Sequence, residues 1–100
     1  MKYRLIFDEV IIKQLKKIAK NNQIKEILSK ILNKLELIGP DAGKLIDSQL
    51  FLYEIKNNKP AIRLYYRHNY DEIHVFKFEI KKSQEKQQKT IEKIKKKLKS

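Results

Sequence analysis

Five cations, one tyrosine and two carboxylates in the second half of the chain are spaced so that they could share one surface. Three short stretches carry them: L-F-L-Y-E-I-K (Leu50 to Lys56), A-I-R-L-Y-Y-R (Ala61 to Arg67) and E-I-H-V-F-K-F-E-I (Glu72 to Ile80), the last running directly into Lys81. Each reads as a β-strand, in which side chains two apart share a face. Phe51, Tyr53 and Ile55 then oppose Glu54 and Lys56. Ile62, Leu64 and Tyr66 oppose Arg63, Tyr65 and Arg67. His74, Phe76, Phe78 and Ile80 oppose Val75, Lys77, Glu79 and Lys81. An antiparallel meander with one face in a core and the other in water explains the alternation. Its wet face gathers Lys56, Arg63, Arg67, Lys77 and Lys81 around Tyr65, with Glu54 and Glu79 beside them. A cationic, partly aromatic face of this kind is suited to holding anions, and it is the expected working surface.

The overall charge points the same way. The 100 residues carry a formal net charge of +12, of which residues 81–100 hold nine lysines and two glutamates. A field of that sign favours polyanions, RNA and DNA foremost. The competing reading is solvated surface charge from a lysine-rich proteome, and charge alone does not separate the two. A 41% apolar content suffices for one modest core, so one domain is expected. With no cysteine, disulfides and cysteine-based metal sites are excluded. Asp71, Glu72 and His74 lack a metal-binding spacing, and neither metal nor cofactor is expected. No apolar run is long enough to span a membrane, and no leader pattern opens the chain. A cytoplasmic protein without membrane contact is the expectation.

The elements that must position this surface follow in order. Lys2 to Phe7 alternates as a strand. Asp8 suits a helix N-cap or first turn, and Ile11, Ile12, Leu15, Ile18 and Ala19 form one apolar helical face. Asn21-Asn22 interrupts it. A second helix carries Ile24, Ile27, Leu28, Ile31, Leu32, Leu35 and Ile38 and ends at Gly39-Pro40. Two such helices predict an antiparallel hairpin packed on the apolar side of the sheet. Residues 41–49 read as a loop, Asn57 to Pro60 and Asn69 to Asp71 as hairpin turns. Ser83 is a candidate cap for a last helix that offers only Ile91, Ile94 and Leu98 for burial, a stripe expected to hold it loosely. The fold class is α+β: an N-terminal strand, a helix hairpin, a meander completing a four-stranded twisted sheet, and a C-terminal helix.

This order, with L-Y-E-I-K at Leu52 to Lys56, P-A-I-R-L-Y-Y around Arg63, and F-E-I-K-K-S-Q at Phe78 to Gln84, resembles the RelE/ParE toxin superfamily. The match is nearest to its phage-derived HigB-like branch, whose pattern runs L-Y-E-L-R, Y-R-V-L-Y and F-x-K-K-x-x-K. The resemblance implies the toxin of a type II toxin–antitoxin system: a metal-independent endoribonuclease that cuts mRNA, usually on the ribosome, and is silenced by a cognate antitoxin. It implies that the 2′-hydroxyl attacks the adjacent phosphorus while fixed cations neutralise the added charge.

By that resemblance Arg63 clamps the scissile phosphate. Lys56 positions phosphate or accepts the 2′ proton, and Lys81 and Lys82 stabilise charge or protonate the leaving group. Glu54, where RelE-type enzymes carry lysine, orients Lys56 or acts as a base. Tyr65 stacks on a splayed base. Arg67, Lys77, Lys86, Lys89 and Lys93 extend the RNA surface. The tyrosine that RelE-type enzymes use in the last helix has no counterpart in residues 83–100, where Gln88 is nearest in register.

Blander readings stand beside these. Arg63 and Arg67 could be charges on a solvated sheet, His74 a core-edge histidine in phase with Phe76 and Phe78, and His68 a solvated turn neighbour. The lysines of the last helix are by default a soluble face. A gyrase-inhibiting ParE-like toxin and a non-catalytic nucleic-acid-binding module are the alternatives in function.

Overall fold

The computed structural model describes residues 2–80 and 84–99, with side chains described outside 84–90 and 99. Strand β1 (Arg4–Phe7) leads into helix α1 (Glu9–Lys17) and helix α2 (Asn22–Ile38). After a 3₁₀ turn (Gly39–Ala42) come β2 (Lys44–Asp47), β3 (Leu52–Asn57), β4 (Ile62–Asn69), β5 (Glu72–Ile80) and helix α3 (Gln84–Lys99). The strands form one sheet in the order β1-β5-β4-β3-β2. β1 lies parallel to β5, and the other pairs are antiparallel.

Local chemistry sets the helix ends. Asp8 caps α1, its Oδ1 accepting from the Val10 N–H at 2.9 Å, and Asn21 caps α2 through the Ile24 N–H at 3.2 Å. α2 stops at Gly39, whose φ of +81° is a left-handed conformation that L side chains rarely adopt. The Tyr3 ring closes on the same glycine, so that a Cβ there would sit 2.4 Å from ring carbons. Both helices press their apolar stripes on one sheet face: Ile11, Ile24, Leu28, Ile31 and Leu35 meet Ile55, Ile62, Leu64, Tyr66, Ile73, Val75 and Phe78. The Tyr66 hydroxyl reaches the Pro40 carbonyl at 2.8 Å, and its ring stacks on Tyr53 with centroids 5.3 Å apart.

β1 pairs only with residues 72–75 of β5. Beyond that point α1 takes over. The Gln14 side-chain amide donates to the Phe78 carbonyl at 2.8 Å and accepts from the Phe78 N–H at 3.0 Å. One side chain thus stands in for a neighbouring strand, satisfying both backbone groups where the ladder ends.

Three expectations are corrected. The sheet has five strands rather than four, because the segment expected as a loop supplies β2. β2 is a four-residue edge strand whose register with β3 shifts between Leu45 and Asp47, too short and irregular to show alternation. Phe51 is not a core residue in phase with Tyr53 and Ile55. β3 begins at Leu52, and Phe51 sits in the preceding turn at a φ of +53° with its side chain 55% exposed. The last strand does not alternate throughout. A register shift lies opposite Tyr65 and Tyr66, where Lys77 pairs with Tyr65 but Val75 with Tyr66, leaving Phe76 as the extra residue of a bulge.

The bulge has a consequence for phase. Ile73, Val75 and Phe78 face the α1–α2 core, while Phe76 packs on the opposite side with Tyr65 and Leu52. That second side is covered by α3, whose Ile91, Ile94 and Leu98 meet Leu52, Tyr65, Phe76, Ile46 and Leu50. The narrow apolar stripe does dock the helix, with help from two ion pairs. Lys95 reaches Asp47 at 3.1 Å and Lys97 reaches Asp8 at 3.2 Å. The expected Ser83 cap lies outside the described residues.

Candidate active site on the sheet

Cross-strand register builds the site in rows on the α3 side of the sheet. Lys56 lies opposite Arg63, and Arg63 opposite Glu79. In the next row come Glu54, Tyr65 and Lys77, and in the third Leu52, Arg67 and His74. The sequence-derived phase of Glu54, Lys56, Arg63, Tyr65, Arg67, Lys77 and Glu79 is therefore the observed one. His74 is the exception. The bulge at Phe76 turns it out of the core phase to sit opposite Arg67, with its Nε2 3.5 Å from the Glu72 carboxylate.

The centre of the site is an ion pair. Arg63 Nη1 donates to Glu54 Oε1 at 2.7 Å, with side chains only 15% and 9% exposed. Arg63 Nε is buried and has no hydrogen-bond partner among the described residues. Lys56, across the strand, is exposed. The row thus combines a fixed guanidinium with a free-standing ammonium, the pairing that neutralises charge on a phosphate.

Tyr65 occupies a different place from the one expected. Its side chain is fully buried under α3 rather than open for base stacking, and its hydroxyl donates to Glu79 Oε1 at 3.0 Å. Burial, reinforced by the Glu79 carboxylate, pushes its pKa up. In this arrangement Tyr65 is a wall of the site and not a stacking platform or an acid–base group. Strand alternation assigned its side correctly but carries no information on what covers that side.

The other expected residues divide by position. Lys77 lines a small recess with Val10, Phe76, Lys93, Ile94 and Lys97, so Lys77 and Lys93 flank the docked helix. Arg67 stands beyond Tyr65, two rows from Arg63. Lys86 and Lys89 lie on α3, with side chains outside the described set, and Lys81 and Lys82 lie outside the described residues. Among the described residues no cluster of His, Asp or Glu could hold a metal ion, and no helix is long and apolar enough to cross a membrane.

Two aspartates fix α3 over the rows. Each spends one carboxylate oxygen on its own backbone and the other on the helix. Asp47 Oδ1 accepts from the Gln49 and Leu50 N–H groups at 3.0 Å, and Asp8 Oδ1 caps α1. Their Oδ2 atoms take Lys95 and Lys97. These contacts, the backbone bonds first, hold both carboxyls below the ordinary aspartate range.

No protein-family model matches the chain, and no curated protein matches its sequence. Solved structures do. A double-arginine mutant of E. coli toxin RelE in the free state superposes with a TM-score of 0.68 at 24% identity, over 94% of this chain and 99% of that one. The isolated E. coli RelE toxin gives a TM-score of 0.66 at 25% identity, over 92% and 98%. A chain of the intact E. coli RelBE toxin–antitoxin complex gives 0.65 at 26%, over 81% and 99%. The fold is therefore RelE-like over most of the chain, and the chain is RelE/ParE-like.

Proposed function

We propose that this chain is the toxin of a type II toxin–antitoxin pair and cleaves mRNA on the ribosome, the whole chain acting as one cytoplasmic toxin domain of the HigB-like kind. The observation that carries the reading is the Lys56–Arg63 row, two cations directly opposite on one sheet face with Arg63 held by Glu54. In the reaction the 2′-oxygen bonds to phosphorus and the P–O5′ bond breaks. The 2′ proton passes to a base, and the departing O5′ takes one up. The added charge falls on the non-bridging oxygens, where Arg63, held by Glu54, supplies a fixed positive charge. Lys56 stands where it can meet the same phosphate or take the proton. Glu54 holds the guanidinium in place, and Lys81 and Lys82 are assigned to charge stabilisation or proton donation. The reaction needs no metal.

The partner is a cognate antitoxin that covers the meander or displaces α3. The complex of RelE with its antitoxin among the similar structures supports a partner of that kind. The test is a translating extract to which purified protein is added, with mRNA ends mapped. In-frame cuts at the decoding site are expected, and Arg63→Ala should abolish most of them while RNA binding falls modestly. Intact message with inhibited gyrase would overturn the proposal.

A further inference from the structure

The α3 side of the sheet holds a second, separate feature. Beyond Tyr65 the face opens into a cleft of about 730 Å³, lined by Phe51, Arg67, Tyr70, His74, Phe76 and Leu98. Its size lies within the range of roughly 300–1,000 Å³ typical of small-ligand sites. Its walls combine aromatic rings with a guanidinium and an imidazole, the composition that binds single-stranded nucleic acid through base stacking and phosphate contact.

The backbone supplies an independent observation. Among the described residues only two that are not glycine have a positive φ, Phe51 at +53° and Tyr70 at +56°. Both are aromatic, both are exposed (55% and 88%), and both line this cleft. Turns requiring that conformation are made at lowest cost by Gly, Asn or Asp, and a bulky residue there carries strain. Neither ring is buried in a core that would compensate for it. Two strained aromatics converging on one cleft point to a requirement for their rings, since strain of this kind gathers at functional positions.

We infer that the cleft between Phe51, Tyr70, Arg67 and His74 is a nucleotide subsite that grips the RNA away from the scissile phosphate. A base stacks on Phe51 and Tyr70, and a phosphate meets Arg67 and His74. The inference rests on the RNA-cleaving reading above and specifies where the substrate is held. Arg67 and Arg63 share a face of β4 four residues apart, about 13 Å at strand rise. Because α3 docks over Tyr65 between these two positions, RNA whose scissile phosphate lies at Arg63 reaches the cleft around the helix rather than along the strand. Exposed rings beside a guanidinium and an imidazole favour RNA over a protein segment as the occupant.

The test uses the full chain and a fluorescent single-stranded RNA with 2′-O-methyl sugars, which cannot be cut by 2′-hydroxyl attack, titrated by anisotropy. Phe51→Gly and Tyr70→Gly each remove a ring while easing the backbone. They should weaken binding about ten-fold or more, lower mRNA cutting in the translating extract, and leave the melting temperature equal or higher. Phe51→Trp and Tyr70→Phe should retain binding. RNA bound normally by both glycine variants would overturn the cleft and leave the Arg63 site standing. Variants that keep RNA but lose a co-expressed antitoxin would overturn it in favour of a protein site. A wild-type chain that neither binds RNA nor cuts message would overturn the cleft and the nuclease reading together.

Discussion

The Glu54–Arg63 pair makes a quantitative prediction. Its side chains are 9% and 15% exposed and the contact is 2.7 Å, so removing one partner breaks a nearly buried ion pair. Such losses run to about 3–5 kcal/mol. With part of each group still reaching solvent, about 3 kcal/mol is expected for Glu54→Ala or Arg63→Ala. For a domain of this size that lowers Tm by roughly 12–24 °C, at about 4–8 °C per kcal/mol. The double variant Glu54→Ala/Arg63→Ala buries neither charge and should recover about 1–3 kcal/mol relative to the sum of the singles. Urea denaturation of the four proteins measures this directly. Single costs that add to within about 0.5 kcal/mol would show that the two groups do not hold each other, and the claim that Glu54 fixes the guanidinium for phosphate would fail with them.

Three further outcomes follow from other contacts. Gln14→Glu keeps an acceptor for the Phe78 N–H but sets a carboxylate against the Phe78 carbonyl. It should cost about 1–3 kcal/mol, with faster amide exchange at Phase-matched positions of β5 near residue 78, whereas exchange unchanged from wild type would discount the strand-mimicking role. Gly39→Ala meets both the +81° φ and the Tyr3 ring and should lose at least about 1 kcal/mol in denaturant melts. Adding Tyr3→Ala removes the clash but not the backbone cost. Asp8 and Asp47 have pKa values lowered in the folded state, by backbone N–H bonds first and then by Lys97 and Lys95. The unfolded chain binds their protons more readily, so their contribution is present above the unfolded pKa of about 3.9 and is lost as pH falls through the lower folded values. Below about pH 4, amide exchange in α3 should accelerate before that of the sheet, and Asp8→Asn/Asp47→Asn should remove the acid step.

Much of the site was legible because strand alternation is a strong constraint. Glu54 and Lys56 opposite Tyr53 and Ile55, and Arg63 opposite Leu64, needed only the pleat. Asp8 as a cap and Gly39 as a stop were readable because each residue type does one local thing well. What escaped is non-local. A bulge adds one residue without a compositional mark, so His74, Val75 and Phe76 were assigned to the wrong side and only the pairing of β4 with β5 reveals it. Tyr65 was placed on the correct side, but its burial depends on where α3 lands, which three apolar residues spaced along a lysine-rich helix do not declare. Phe51 reads as a strand residue in any alternation count. Its left-handed backbone lies in the turn between β2 and β3, which an alternation count does not see.

The pairing of β1 with β5 carries a consequence for how the chain is made. Arg4 lies beside Glu72 across a separation of 68 residues, and their side chains are ion-paired. At roughly 5–20 residues per second of synthesis, the first strand waits for seconds before its sheet neighbour emerges. Nascent chains that end short of residue 72 leave β1 without that neighbour, and they also lack Glu79, which completes the Lys56–Arg63 row. The cationic face is thus assembled only once translation has passed residue 79.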